Sequence, residues 1–356
     1  MKGESMSEND GNKKSSKGCG FGCLVMMAIA GAGFAVLAAL FFFGLAKFDF
    51  EAAGLNGSFL KEGASARGED ESPVMMEKWS TGSGTAKVVR VPVSGMIMLS
   101  SSGWGERSAV TALRSIRRAT HDKNVKALIL DVNSGGGGIT ASDIIYKALL
   151  DFKAASPERK IVVLMGDVAA SGAYYISLPA DYIIAHPTTV TGSIGVIMQS
   201  YNIKELAAKI GITDVTVKSG KNKDFFNPMQ AVNPEQMEIM QRLILKMHER
   251  FVELIVENRK LTKEVVGELA DGRVYLADEA VENGLIDGIG YYQDAEKKVA
   301  ELLGEDSVKV YKYQEHVTLS DLLGGGGPGI GMKLEKLVEG KHTNSGLMYL
   351  WQPSAM

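Results

Sequence analysis

Ala127-Leu128-Ile129-Leu130-Asp131-Val132-Asn133-Ser134-Gly135-Gly136-Gly137-Gly138 carries the plainest signal of fold class in this chain. Its first six residues form a nearly continuous apolar run, as a strand buried on both faces requires. Four glycines then break the run. From Thr140 to Ala155, Ile144, Ile145, Ala148, Leu149 and Phe152 recur at three and four, the spacing of a helix. The same grammar returns downstream, where IVVLM (161–165) runs into GDVAASGAYYIS (166–177).

On either side, VVRVPV (88–93), DYIIA (181–185) and VTV (215–217) read as further strands. Helical patterns cover 106–120, 233–260, 263–270, 277–283 and 293–303. Asn233-Pro234 opens the longest of these, with Met240, Leu243, Ile244, Met247, Phe251, Leu254 and Ile255 on its apolar face. Its methionines suit adaptable packing, against the core or against another subunit. Apolar strands alternating with helices predict an α/β fold, with parallel strands covered on both sides.

Nearer the N-terminus, no charge interrupts Phe21 to Ala46. About 20 apolar residues suffice to cross a bilayer, and a helix pairs its own backbone there. Lys13, Lys14 and Lys17 precede the run, which puts the N-terminus in the cytoplasm and the rest outside. Gly44-Leu45-Ala46 offers a weak cleavage site, but the length of the run favours an uncleaved signal anchor. The expected organisation is a cytoplasmic segment (1–20), a transmembrane anchor (21–46), a flexible linker rich in Gly, Ser and charge (47–86), a folded domain (87–310) and a tail (311–356). The tail holds GGGGPGIG (324–331) and the short apolar, β-prone GLMYLW.

The formal charge is −3 over 356 residues, so no basic footprint marks a nucleic-acid partner. Cys19 and Cys23 are the only cysteines. They border the apolar run and lack the further ligands of a zinc site. Neither a Walker phosphate loop nor a clean dinucleotide fingerprint is present. No cofactor and no metal are expected.

Two Gly-rich turns at the C-terminal ends of apolar strands are where open α/β sheets bind ligands. In the second turn Ser171 sits among small residues. An isolated serine there is ordinarily a helix N-cap. Beside a first turn whose amides, Gly136 and Gly137, combine with that of Gly172 or Ser171 as an oxyanion hole, it reads instead as a nucleophile. None of His121, His186, His248, His316 and His342 has a recognisable catalytic setting. Lys218, Lys221 and Lys223 in VKSGKNKD are the alternative bases, and spacing does not choose among them.

DVNSGGGG, MGDVAASGAYYIS, TVTGSIGVIM and VKSGKNKD, in this order, resemble the short, single-domain form of the signal peptide peptidase A family over residues 88–300. The resemblance implies a Clp/crotonase-like fold of repeated ββα units and a Ser–Lys serine endopeptidase that clears remnant signal peptides or other apolar segments. It implies Ser171 as nucleophile and Lys223 as general base, with Lys218 next in line. Ser193 would hold the lysine. It also implies a bacterial inner-membrane protein, single-pass, with its domain outside, assembled as a homo-oligomer whose lysine completes a neighbour's site. Gly135 stands where the family has Pro, and Ala173 where Gly is common; neither change removes a catalytic side chain. An acyl-CoA enzyme on the same fold and a degenerate membrane-tethered scaffold are the competing readings. The tail, with its apolar Leu347-Met348-Tyr349-Leu350-Trp351, is a candidate occupant of this chain's own substrate groove or a neighbour's, with packing on the domain surface or disorder as the plainer alternatives.

Overall fold

The computed structural model describes residues 75–99, 108–315 and 348–350, all within the unit Glu69–Met356. In chain order these are β1 (Met75–Thr81), β2 (Ala86–Ser94), α1 (Ser108–His121), β3 (Val125–Ser134), β4 (Gly136–Gly138), α2 (Ile139–Ala154), β5 (Lys160–Ala170) and α3 (Gly172–Ser177). There follow β6 (Tyr182–Ala185), β7 (Val190–Gly192), α4 (Lys204–Lys209), α5 (Pro234–Arg259), α6 (Lys263–Leu269), β8 (Val274–Leu276), α7 (Ala277–Glu282), β9 (Gly288–Ile289), α8 (Tyr292–Leu303), β10 (Val308–Glu315) and β11 (Met348–Leu350).

The main sheet runs β1-β10-β2-β3-β5-β6-β9, with β7 on β5 and β8 on β7. Its centre, from β10 to β9, is parallel, and β1 joins its edge antiparallel. Successive side chains of a strand face opposite ways. Val89, Val91, Leu128, Leu130, Ile161 and Val163 accordingly enter one core with α1, α2, α3 and α5. Val88, Ala127, Ile129, Val162 and Leu164 enter a second core under α8. Apolar burial on both faces explains why these strands carry no polar alternation. The expected α/β architecture is therefore present as a mixed sheet with helices on both sides. One ββα unit is plain in β3, β4 and α2.

Several expectations need correction. Residues 215–217 are not a strand; Val215 is 87% and Val217 97% exposed, with no described strand to pair them. The linker expected at 47–86 contains β1, because residues 75–81 find an edge to join in β10. The boundary at residue 310 falls inside β10, whose V-K-V-Y-K-Y alternation is a legible strand signal. Among the described residues no helix is long and apolar enough to cross a membrane. The span expected at 21–46 lies outside them.

Helix α5 starts as its sequence requires, with Asn233 Oδ1 accepting the Glu235 N–H at 3.0 Å and Pro234 in the first turn. Its buried apolar residues, Phe251, Val252, Leu254 and Ile255, all lie in its second half. Along its first half Met237, Leu243 and Leu245 are 42–54% exposed. The preceding segment adds exposed Tyr201, Leu206, Ile210 and Ile212. Together they make an apolar arm with no cover among the described residues.

Candidate active site

β5 ends at Ala170 and α3 begins at Gly172, so Ser171 occupies the turn between them. It has φ 56° and ψ −118°. Positive φ is uncommon outside glycine and costs about 1–3 kcal/mol, a strain that clusters at active sites. A sharp strand-to-helix turn of this kind is the device that lifts a nucleophilic serine out of its sheet. The simpler N-cap role is not played, because the Ser171 side chain makes no capping hydrogen bond. Its main chain is held firmly: its N–H donates to Gly192 O at 2.7 Å, and its carbonyl accepts from Tyr175 N at 2.9 Å.

Ser193 is brought alongside. β7 runs parallel to the end of β5, with Gly192 opposite Ala170, so Ser171 and Ser193 leave adjacent strands together. Ser193 is also left-handed, at φ 49°, and its N–H donates to Arg273 O at 2.7 Å. Both serines are buried, and neither hydroxyl is hydrogen-bonded to a described residue.

The first Gly-rich turn lies beside the second through the pairing of Ser134 with Ala169. The structure sorts its amides. Gly136 N–H donates to Ser134 Oγ at 3.0 Å, which removes it from the expected oxyanion pair. Ile97 takes the next groups on one edge: Ile97 N donates to Gly136 O and Gly138 N to Ile97 O, each at 2.9 Å. By strand alternation, the N–H of Gly137 points to the opposite edge. Gly172, at the first position of α3, has an amide without an intrahelical acceptor. Gly137 and Gly172 are thus the remaining donor pair.

That opposite edge of β4 is occupied. β11 pairs with it antiparallel, setting Met348 opposite Gly138, Tyr349 opposite Gly137 and Leu350 opposite Gly136. β11 also lies against α2 and α3. Met348–Leu350 therefore lie as an extended segment on the glycine edge, in the β-augmentation mode of peptide recognition.

A side chain at Gly137 has no room. A Cβ there would fall 2.3 Å from Ile97 O and 2.7 Å from Ile97 N, both main-chain atoms. Gly137→Ala should lower stability by about 1–3 kcal/mol. A variant with wild-type melting temperature would refute this account of the turn.

The three lysines are separated by their partners. Lys218 Nζ lies 2.7 Å from both Asp224 oxygens, and this hydrogen bond holds the Asp224 carboxyl below the usual range. Lys221 does the same to Glu235 at 2.7 and 3.0 Å. Both ammonium groups are thus engaged by carboxylates. Lys223 is exposed, and its ammonium contacts no described acidic group. It is also not hydrogen-bonded to Ser171. A cleft of about 410 Å³ beside the Lys218–Asp224 pair, lined by Met198, Tyr201 and Phe226 among others, belongs to the arm and does not include Ser171.

With this geometry in place, comparison with known proteins gives concordant matches. The profile of peptidase family S49 matches residues 153–305. A putative signal peptide peptidase SppA of Enterococcus faecium is 38% identical over 226 residues, covering 62% of this chain and 64% of the relative. Protease 4 of Salmonella typhi is 36% identical over 230 residues, covering 65% of this chain and 37% of its own length. A putative protease of Synechocystis is 36% identical over 225 residues, covering 63% of this chain and 77% of the relative. The chain thus spans less than two thirds of the first two relatives.

Proposed function

The chain belongs to peptidase family S49, the signal peptide peptidase A family, and we propose on that basis that it is a serine endopeptidase cutting apolar peptides. The carrying observation is Ser171, left-handed and uncapped at a strand-to-helix turn beside a peptide-binding glycine edge. Neutral Lys223 takes the hydroxyl proton as Oγ bonds to the scissile carbonyl carbon. The Gly137 and Gly172 amides hold the oxyanion. The lysine, now an ammonium, gives its proton to the leaving amine as the C–N bond breaks. Water deprotonated by the same lysine then hydrolyses the ester and frees Ser171. Ser193 orients the lysine, as the third member of such constellations does.

A lysine becomes a base near neutral pH only when desolvated or crowded by positive charge. Lys223 is exposed in the single chain, so something must cover it. The bare apolar arm supports a second copy of this chain as the cover. On this reading the protein is a homo-oligomer, with Ser171 of one subunit served by Lys223 of the next. The uncharged run Phe21–Ala46 supports a single-pass anchor in the bacterial inner membrane with the domain outside. Remnant signal peptides, apolar and membrane-held, are then the fitting substrates.

Turnover of an apolar fluorogenic peptide by the full chain in detergent, set against an acyl-CoA thioester, tests the reading. Thioester turnover without peptide cleavage would overturn it.

The docked tail adds a prediction of its own. Strand β11 and a substrate strand compete for the same edge of β4. Deleting residues 344–356 should raise the initial rate, about fivefold for each ~1 kcal/mol by which docking is favoured. An equal or lower rate would count against competition.

A further inference from the structure

The ladder between β3 and β5 skips just ahead of the nucleophile turn. Val132 pairs with Met165, but the next pair is Ser134 with Ala169. Asn133 alone therefore faces Gly166, Asp167 and Val168. A bulge of this kind leaves main-chain groups without ladder partners and re-aims the chain beyond it.

Asn133 grips the bulge with both ends of its side-chain amide. Its Oδ1 accepts the Val168 N–H at 3.1 Å, and its Nδ2 donates to Asp167 Oδ2 at 3.1 Å. A main-chain donor on one side and a carboxylate on the other admit only this amide orientation. The Asn133 backbone is itself anchored, its carbonyl accepting from Gly95 N at 3.1 Å. Contact is close: a Cβ on Gly166 would lie 3.1 Å from Asn133 Cβ.

The bulge is also where β5 changes neighbours. Val162–Met165 pair with β6, whereas Val168–Ala170 pair with β7. Only after this switch does Gly192 come opposite Ala170 and accept the Ser171 N–H. We propose that Asn133 is a positioning residue, whose side-chain amide holds the Gly166–Val168 bulge and so aims Ser171 at the glycine edge. The inference rests on Ser171 being the nucleophile.

The test uses the full-length protein with Asn133→Ala, Asn133→Asp and the exchange pair Asn133→Asp/Asp167→Asn. Peptide kcat and KM are measured, together with hydrogen exchange of the Val168 amide. Misplacing a nucleophile by about 1 Å costs on the order of 100-fold. Asn133→Ala should therefore lose roughly 10- to 100-fold in kcat with little change in KM, and Val168 should exchange faster. Asn133→Asp keeps the acceptor but sets two carboxylates together, and it should lose activity similarly. The exchange pair restores donor and acceptor with their owners swapped, and should recover about tenfold over Asn133→Asp. Wild-type kcat in Asn133→Ala, loss without recovery in the pair, or unchanged Val168 exchange would each overturn the proposal. A wild-type protein no more active than Ser171→Ala would instead sink the peptidase reading, and exchange at Val168 would then decide the clamp alone.

Discussion

Ser171→Ala should lower peptide turnover by roughly 10⁴-fold or more while leaving the fold intact. The magnitude follows from the chemistry: without Oγ no acyl-enzyme forms, and only binding and the oxyanion donors remain to act on water. Ser171→Gly should be equally inactive. It should also be more stable, by about 1 kcal/mol, because glycine adopts φ 56° without the Cβ penalty that serine bears. Opposite effects on activity and stability at one position would mark Ser171 as strained for function. A Ser171→Ala protein of undiminished turnover would remove the nucleophile assignment. A Ser171→Gly protein less stable than wild type would remove the strain argument.

Lys223→Ala is the second large effect, expected at a similar roughly 10⁴-fold loss in kcat/KM. Lys218→Ala and Lys221→Ala are the controls. Their ammonium groups are engaged by Asp224 and Glu235, and their loss should cost less than about tenfold. The base must be neutral to accept the Ser171 proton, so activity should rise with pH through its apparent pKa. That rising limb should vanish in Lys223→Ala. Mixing separates one chain from two. In a closed ring of random composition, equal amounts of Ser171→Ala and Lys223→Ala subunits restore about a quarter of sites shared between neighbours. Verified mixed oligomers with no recovery would place both residues in one chain. Recovery together with an unchanged pH profile in the parent Lys223→Ala protein would remove the lysine from the base role.

Much of the scaffold was legible because its signals are local. Residues 127–132 and 161–165 are apolar on both faces since both faces are covered, and the strand assignments followed directly. The helices at 139–154 and 234–259 announced themselves by period and by the Asn-Pro start. The short strands β7, β8 and β9 did not, being two or three residues long and made by their neighbours' edges. At 215–217 a β-prone triplet found no partner among the described residues, which shows that propensity without an edge does not make a strand.

The site divides along the same line. Residue order alone supplied the strand–turn–helix succession, the place of Ser171 in it, and the stock of glycine amides and lysines nearby. These depend on residue type and spacing along a few turns of chain. Tertiary contacts were needed to make Ser171 left-handed and uncapped and to lay Met348–Leu350 on the Gly137 edge. They also hold Lys218 and Lys221 on carboxylates while Lys223 stands exposed. The physical reason is that hydrogen-bond donors and charges are committed by whatever folding brings within about 3 Å. Those partners are set by the folded backbone rather than by residue type, so no local pattern can name them.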